Sequence, residues 1–166
     1  MNLSVILASP AAASEIARVK NAAADDLTAR YGKGHWSYQC TEKSVLGGMT
    51  DKSFQFAALL DGRVVGTLQL AYKKPWAIDI RYFTDLKQAV YLTGMAVLPE
   101  LQGKGIGRYM LGEVADRARM FSAGAIRLDA YDAPAGAGDF YVKCGYRETG
   151  RVVCRTVPLI YYERVL

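Results

Sequence analysis

Two hydrophobic periods alternate along this chain, and their order predicts a sheet covered by helices. An apolar run over residues 3–8 reads as a first strand. Ser9 then stands where a helix cap belongs, with Pro10 in the first turn, where a missing N–H does no harm. Ile16, Val19, Ala23 and Leu27 recur at helical spacing, and Gly32 supplies the stop. Residues 33–52 carry no clear period beyond a second short helix near 41–46. Residues 54–60 read as a strand, and Asp61-Gly62 is a tight hairpin signal leading into a partner over 63–72. A less regular stretch, 73–88, precedes a strand over 89–97 that Pro99 ends.

The strongest helical pattern covers 104–121. Ile106, Met110, Leu111, Val114, Ala115 and Ala118 line one face, while Arg108, Glu113, Asp116, Arg117 and Arg119 lie mostly on the other. Gly124 ends it, and Ile126, Leu128 and Ala130 alternate with Arg127 and Asp129, which is strand spacing. A short helix over 134–144, closed by Gly145, is followed by strand material over 146–149, 151–157 and 160–166. The fold class is therefore α/β (α+β), a central sheet flanked by helices. No repeat, low-complexity tract or linker divides the chain, so residues 1–166 are read as one domain.

Composition narrows the function classes only slightly. Hydrophobic residues make up 51% and charged residues 22%, a globular balance. No apolar run approaches the roughly 20 residues that span a bilayer, and no membrane partner is expected. The first residues lack the basic segment of a secretory signal and carry only a short apolar stretch, so a cytoplasmic location is expected. Cys40, Cys144 and Cys154 show no paired spacing and no neighbouring histidine cluster, which argues against a disulfide framework and against a metal site. Lys and Arg outnumber Asp and Glu by 21 to 16, a net +5 that favours anionic ligands. The basic residues are scattered rather than massed into a nucleic-acid patch; a phosphate-rich ligand accounts for the excess equally well.

The informative segment joins the strand over 89–97 to the long helix. It reads Val97-Leu98-Pro99-Glu100-Leu101-Gln102-Gly103-Lys104-Gly105-Ile106-Gly107-Arg108. The first turn of a helix has unpaired N–H groups and a positive dipole end. Three alternate glycines let a phosphate approach the backbone, Lys104 and Arg108 add charge, and Gln102 can brace the turn. A Walker loop would need Gly-Lys followed by Ser or Thr, and a dinucleotide fingerprint would need a glycine where Met110 stands. Both nucleotide readings fail.

Gln102, Gly105 and Gly107, after Val97 and Pro99, form a Gln-x-x-Gly-x-Gly pattern that resembles the acetyl-CoA motif of the GNAT acetyltransferase superfamily. The segment Asp139-Phe140-Tyr141-Val142-Lys143-Cys144-Gly145-Tyr146 resembles that family's Phe-Tyr-x-x-x-Gly-aromatic segment. The resemblance implies a mixed, mostly antiparallel sheet and acetyl-CoA as co-substrate without a metal. It implies that Gln102, Gly103, Lys104, Gly105, Ile106, Gly107 and Arg108 hold the pyrophosphate, and that Met95, Ala96 and Val97 hold the pantetheine arm, with an N–H near Met95 facing the thioester oxygen. Tyr141 matches the general acid that protonates the leaving thiolate. One departure is Pro134, where many members have an asparagine that contacts the cofactor.

The general base has no such signature. Asp79 is the candidate, in a connection longer than the family's usual turn, with Trp76, Tyr82 and Phe83 as walls of an acceptor pocket. Trp36, beside the lone histidine His35, is a further substrate-binding candidate. Cys144 sits at a helix C-terminus, which disfavours a thiolate and a covalent cysteine mechanism. The expected activity is direct acetyl transfer to a primary amine of a small molecule, by a monomer or homodimer. Two other readings stay open: a CoA-binding regulatory module without turnover, and an enzyme acting on a protein or peptide amine.

Overall fold

β1 (Leu3–Leu7) forms one edge of a seven-stranded sheet in the computed structural model, which describes residues 1–166. The strands β2 (Ser53–Leu60), β3 (Arg63–Ala71), β4 (Val90–Val97), β5 (Ala125–Tyr131), β6 (Arg147–Cys154) and β7 (Val157–Val165) complete it in the order β1-β2-β3-β4-β5-β7-β6. Every neighbouring pair is antiparallel except β4 and β5. The Asp61-Gly62 hairpin forms as expected: both residues take positive φ, +50° and +84°, the combination that suits the twist of a two-residue turn.

Four helices cover the sheet: α1 (Ala13–Tyr31), α2 (Glu42–Gly48), α3 (Ile106–Met120) and α4 (Gly138–Lys143). Thr41 caps α2, its hydroxyl accepting the Ser44 N–H at 3.1 Å. The buried stripe of α3 is the predicted one: Ile106, Met110, Leu111, Val114, Ala115 and Ala118. Met110 lies against Gly66 of β3, and the Arg117 guanidinium covers the Phe56 ring. On the opposite face Gln69 of β3 donates to the Gly48 carbonyl of α2 at 2.6 Å. α3 and α4 thus lie on one side of the sheet, α1 and α2 on the other.

Three expected boundaries differ. Ser9 makes no side-chain cap; its carbonyl accepts the Ala12 N–H at 3.0 Å in a 3-10 turn, Pro10–Ala12, and α1 begins only at Ala13. The helix expected over 134–144 is confined to Gly138–Lys143; ahead of it Gly136 packs so tightly that a Cβ there would collide with the Tyr131 carbonyl. The last three expected strands are one hairpin. It turns at Arg155-Thr156, and the break near Gly150 is a register shift against β7. Arg155 adopts φ +57° without being glycine or asparagine, so no turn residue announced the reversal.

The stretch between β3 and β4 crosses the α1–α2 side of the sheet and is tied to β5 and β7. Arg127 donates to the Thr84 carbonyl at 2.5 Å and to Glu163 at 2.9 Å, and Thr84 donates its hydroxyl to Glu163. Ile78, Phe83, Tyr91 and Tyr161 form a small apolar cluster beneath it.

Candidate active site

β4 and β5 pair only at Val90–Ile126 and Tyr91–Arg127. Beyond those residues the parallel strands part, and two cavities, of about 380 and 520 Å³, occupy the opening. Ala23 and Leu27 of α1, Met95 and Ala96 of β4, Ala135 and Tyr141 line both, so the two are halves of one cleft through the sheet.

The smaller half ends at the glycine-rich turn. Gly103 and Gly105 take φ of +74° and +85°, a conformation open to glycine at little strain. The Gln102 side chain donates to the Val97 carbonyl at 3.0 Å and ties the turn to β4. Tyr109 is the first residue of α3 whose N–H bonds backward, to Gly105 at 3.0 Å; the N–H groups from Gly103 through Arg108 have no partner within the chain. These bared donors at a helix start fit a diphosphate. Gly107 faces inward: a Cβ would lie 3.0 Å from the Phe140 ring and 3.3 Å from the Met95 methyl.

At the partition between the halves stands Tyr141. It is buried, and its hydroxyl donates to the Met95 sulfur at 3.8 Å. Burial, followed by the nearby Asp129 charge, drives its pKa far above the ordinary phenol value, so it is held protonated. Opposite it, β4 bulges: Gly94 and Met95 face the single residue Leu68 of β3, and Gly94 takes φ +59°. The bulge interrupts the ladder in the wall that both halves share.

The larger half lies on the α1–α2 side. Asp129 of β5 opens into it and makes no side-chain hydrogen bond or ion pair to another residue; burial raises its pKa. Lys20 of α1 also lines it, with a pKa lowered chiefly by burial. Trp36 packs edge-on against Tyr131 at 5.8 Å, and His35 stacks on the same ring at 6.4 Å.

The model of the acetyltransferase (GNAT) family matches residues 16–146, from α1 to the end of the Phe-Tyr segment. The chain belongs to that family. Several solved acetyltransferases share the fold of this GNAT protein. PaiA N-acetyltransferase from Thermoplasma acidophilum, solved with coenzyme A, is 15% identical with a TM-score of 0.77, each chain covered in full. YncA from Salmonella typhimurium, solved with acetyl-CoA, is 18% identical with a TM-score of 0.72, over 100% of this chain and 95% of that one. The ribosomal-protein-alanine N-acetyltransferase from Brucella melitensis is 18% identical with a TM-score of 0.73, over 98% and 99%. No curated protein matches the sequence.

In this GNAT acetyltransferase, Met95, Ala96, Val97, Gln102, Gly103, Ile106 and Gly107 line the smaller half. Lys104, Gly105 and Arg108 lie outside that lining, exposed at the helix start. Tyr141 and Trp36 line the larger half. Asp79, Trp76 and Tyr82 line neither. Asp79 chelates Arg81, whose hydrogen bonds hold its carboxyl at about 2, and Trp76 stacks on Arg155. Tyr82 packs edge-on against Tyr161. The long connection is drawn onto β7 by the Arg127–Glu163 pair and so stays away from the cleft. Cys144, its thiol pushed up by burial, lines neither half.

Asp129 and Lys20 line the cleft without a motif in the sequence that marks them as chemistry. Asp129 had a signal: it is an acidic residue near the end of a strand with alternating pattern, which the structure places beside β4. Lys20 had none, being one charge on an amphipathic helix.

Proposed function

We propose that this acetyltransferase binds acetyl-CoA in the smaller half of the cleft and transfers the acetyl group directly to a small primary amine in the larger half. The observation that carries this reading is the partition, where Tyr141 and Met95 meet both cavities and Asp129 faces the second. A volume of about 520 Å³ suits a small molecule.

Each group has a role its environment supports. The free N–H groups of Gly103 to Arg108 take the diphosphate, and Met95, Ala96 and Val97 flank the pantetheine arm. Asp129, moved toward neutrality by burial, accepts a proton from the incoming ammonium, so that the nitrogen lone pair can attack the thioester carbon. Tyr141 donates its proton to the sulfur as the carbon–sulfur bond breaks. The second amine proton, lost as the amide forms, restores the phenol through solvent. One proton is released overall. The base is thus assigned to Asp129 rather than Asp79, because an arginine-paired carboxylate held at about 2 and lying outside the cleft is a poor proton acceptor.

The deciding experiment measures thiol release from acetyl-CoA against a panel of small amines. Turnover with at least one amine is expected. Tight CoA binding with no turnover on any amine would establish a regulatory module instead, and turnover only on peptide or protein amines would replace the small-molecule acceptor.

A further inference from the structure

The larger half of the cleft contains two opposite charges that do not use one another. Lys20 Nζ sits over the β4 bulge, where a Cβ on Gly94 would lie 2.9 Å from it. Lys20, half-buried, forms no hydrogen bond or ion pair, whereas the buried Arg127 pairs with Glu163 at 2.9 Å. Asp129, on β5 across the opening, likewise makes no hydrogen bond or ion pair to another residue; its own backbone N–H is its one partner. No ion pair joins the two, and the surrounding walls are largely apolar: Ala24, Trp36, Tyr38 and Tyr131. Holding a charge in such surroundings is unfavourable unless something complementary arrives. The burial that lowers the Lys20 pKa and raises that of Asp129 expresses the same tension from both sides.

We infer that the acceptor is a zwitterionic amine, an amino acid in the chemical sense, whose ammonium meets Asp129 and whose carboxylate meets Lys20. The inference rests on the proposed transfer reading for which end reacts: Asp129, near Tyr141, marks the nitrogen end, and Lys20 marks the far end. Lys20 is then a specificity-determining residue. It never touches the reacting atoms, and it selects acceptors by drawing in an anion at a fixed place relative to the amine. Cys40 and Ser44, also in this half, lie with Lys20 on the α1–α2 side, and neither carries a formal positive charge to compete for the carboxylate. His35 is the other basic side chain in the lining. It is exposed and stacked on Tyr131, so it does not replace Lys20 at the bulge.

Calorimetry on the CoA-bound protein tests this without needing turnover. The probes are the standard α-amino acids, β-alanine and 4-aminobutyrate, each beside its carboxamide, which keeps the amine and removes the anion. At least one acid should bind about 10- to 100-fold more tightly than its amide, the range of a charge-assisted hydrogen bond. Lys20→Met should abolish that preference and Lys20→Arg should keep most of it, with thermal unfolding as the check on folding. In turnover, Lys20→Met should raise KM for the acid far more than it lowers kcat. If no acid out-binds its amide, or if Lys20→Met leaves the ratio intact, the inference is overturned. Should Lys20→Met not fold, the acid-amide comparison in the wild-type and Lys20→Arg proteins still decides. The two readings fail separately: preferential acid binding without turnover removes the transfer reading alone, and turnover without acid preference removes this one alone.

Discussion

The hydroxyl of Tyr141 points at the thioether of Met95, 3.8 Å away, so that α4 touches the bulged part of β4 across the opening in the sheet. Sulfur is a weak acceptor, and the phenol therefore keeps a proton that a better acceptor can take. A departing thiolate is such an acceptor.

Replacing that phenol by a phenyl ring isolates the proton. Tyr141→Phe should lower kcat by roughly 10²- to 10⁴-fold, the usual worth of a general acid. The ring still fills its place against Tyr146 and Tyr162, so CoA affinity should hold. Thiol release and calorimetry measure the two quantities separately; an unchanged kcat would remove Tyr141 from the chemistry.

Asp129 should set the acid limb of kcat/KM, at a pH above the ordinary carboxyl value of about 3.9 because burial raises its pKa. Activity rises with pH through that limb, and Asp129→Asn should abolish both the limb and most turnover. Stability runs the other way. The folded state holds this proton more tightly than the unfolded chain, so stability declines as pH climbs from the unfolded pKa to the raised one. Asp129→Asn should accordingly melt higher than the parent at pH 7, with the difference closing in acid. Asp79 has the opposite sign. Its folded pKa of about 2 gives stability that is present above the ordinary carboxyl value and lost as pH falls toward 2. Because Asp79 pairs with an exposed Arg81, Asp79→Asn should change melting little and turnover little.

Gly105 tests the phosphate turn through the backbone alone. A Cβ there meets nothing within 4 Å, but φ is +85°, and a β-branched residue in left-handed geometry is strained by about 1–2 kcal/mol. Gly105→Val should redirect the N–H groups and weaken CoA binding by about tenfold or more, with the melting temperature only modestly lower. Normal affinity in calorimetry would contradict the assignment of the turn.

The Arg127–Glu163 pair should govern stability rather than catalysis. Glu163 has a fully buried side chain, and removing its arginine strands the charge. Arg127→Met should lose about 3–5 kcal/mol in urea unfolding, and adding Glu163→Gln should recover part of it. A loss below about 1 kcal/mol would mean that Arg147, 3.7 Å from Glu163, suffices on its own.

Much of the fold followed from local pattern. The α3 stripe, the Asp61-Gly62 hairpin and the glycine-rich turn are short-range features: periodicity, positive φ and unpaired N–H groups are all decided within a dozen residues. The same holds for Tyr141, whose register is set by Phe140 and Gly145 beside it. The last hairpin escaped notice because Arg155 adopts a left-handed conformation that its side chain does not favour; pairing along β6 and β7 imposes it.

What the chain determines by itself is therefore the side proposed to hold acetyl-CoA: a strand, a glycine turn and an amphipathic helix that follow one another in sequence. The proposed acceptor side was decided only when distant pieces met. Lys20, Asp129 and Tyr141 come from α1, β5 and α4, and they share a cavity because β4 and β5 part after Tyr91. Asp79 and the aromatics around it were held elsewhere by a buried arginine and glutamate on β5 and β7. Local order comes from torsions and hydrogen bonds between near neighbours. The surroundings of a charge come from whatever the packed chain sets around it, and no spacing along the sequence records that.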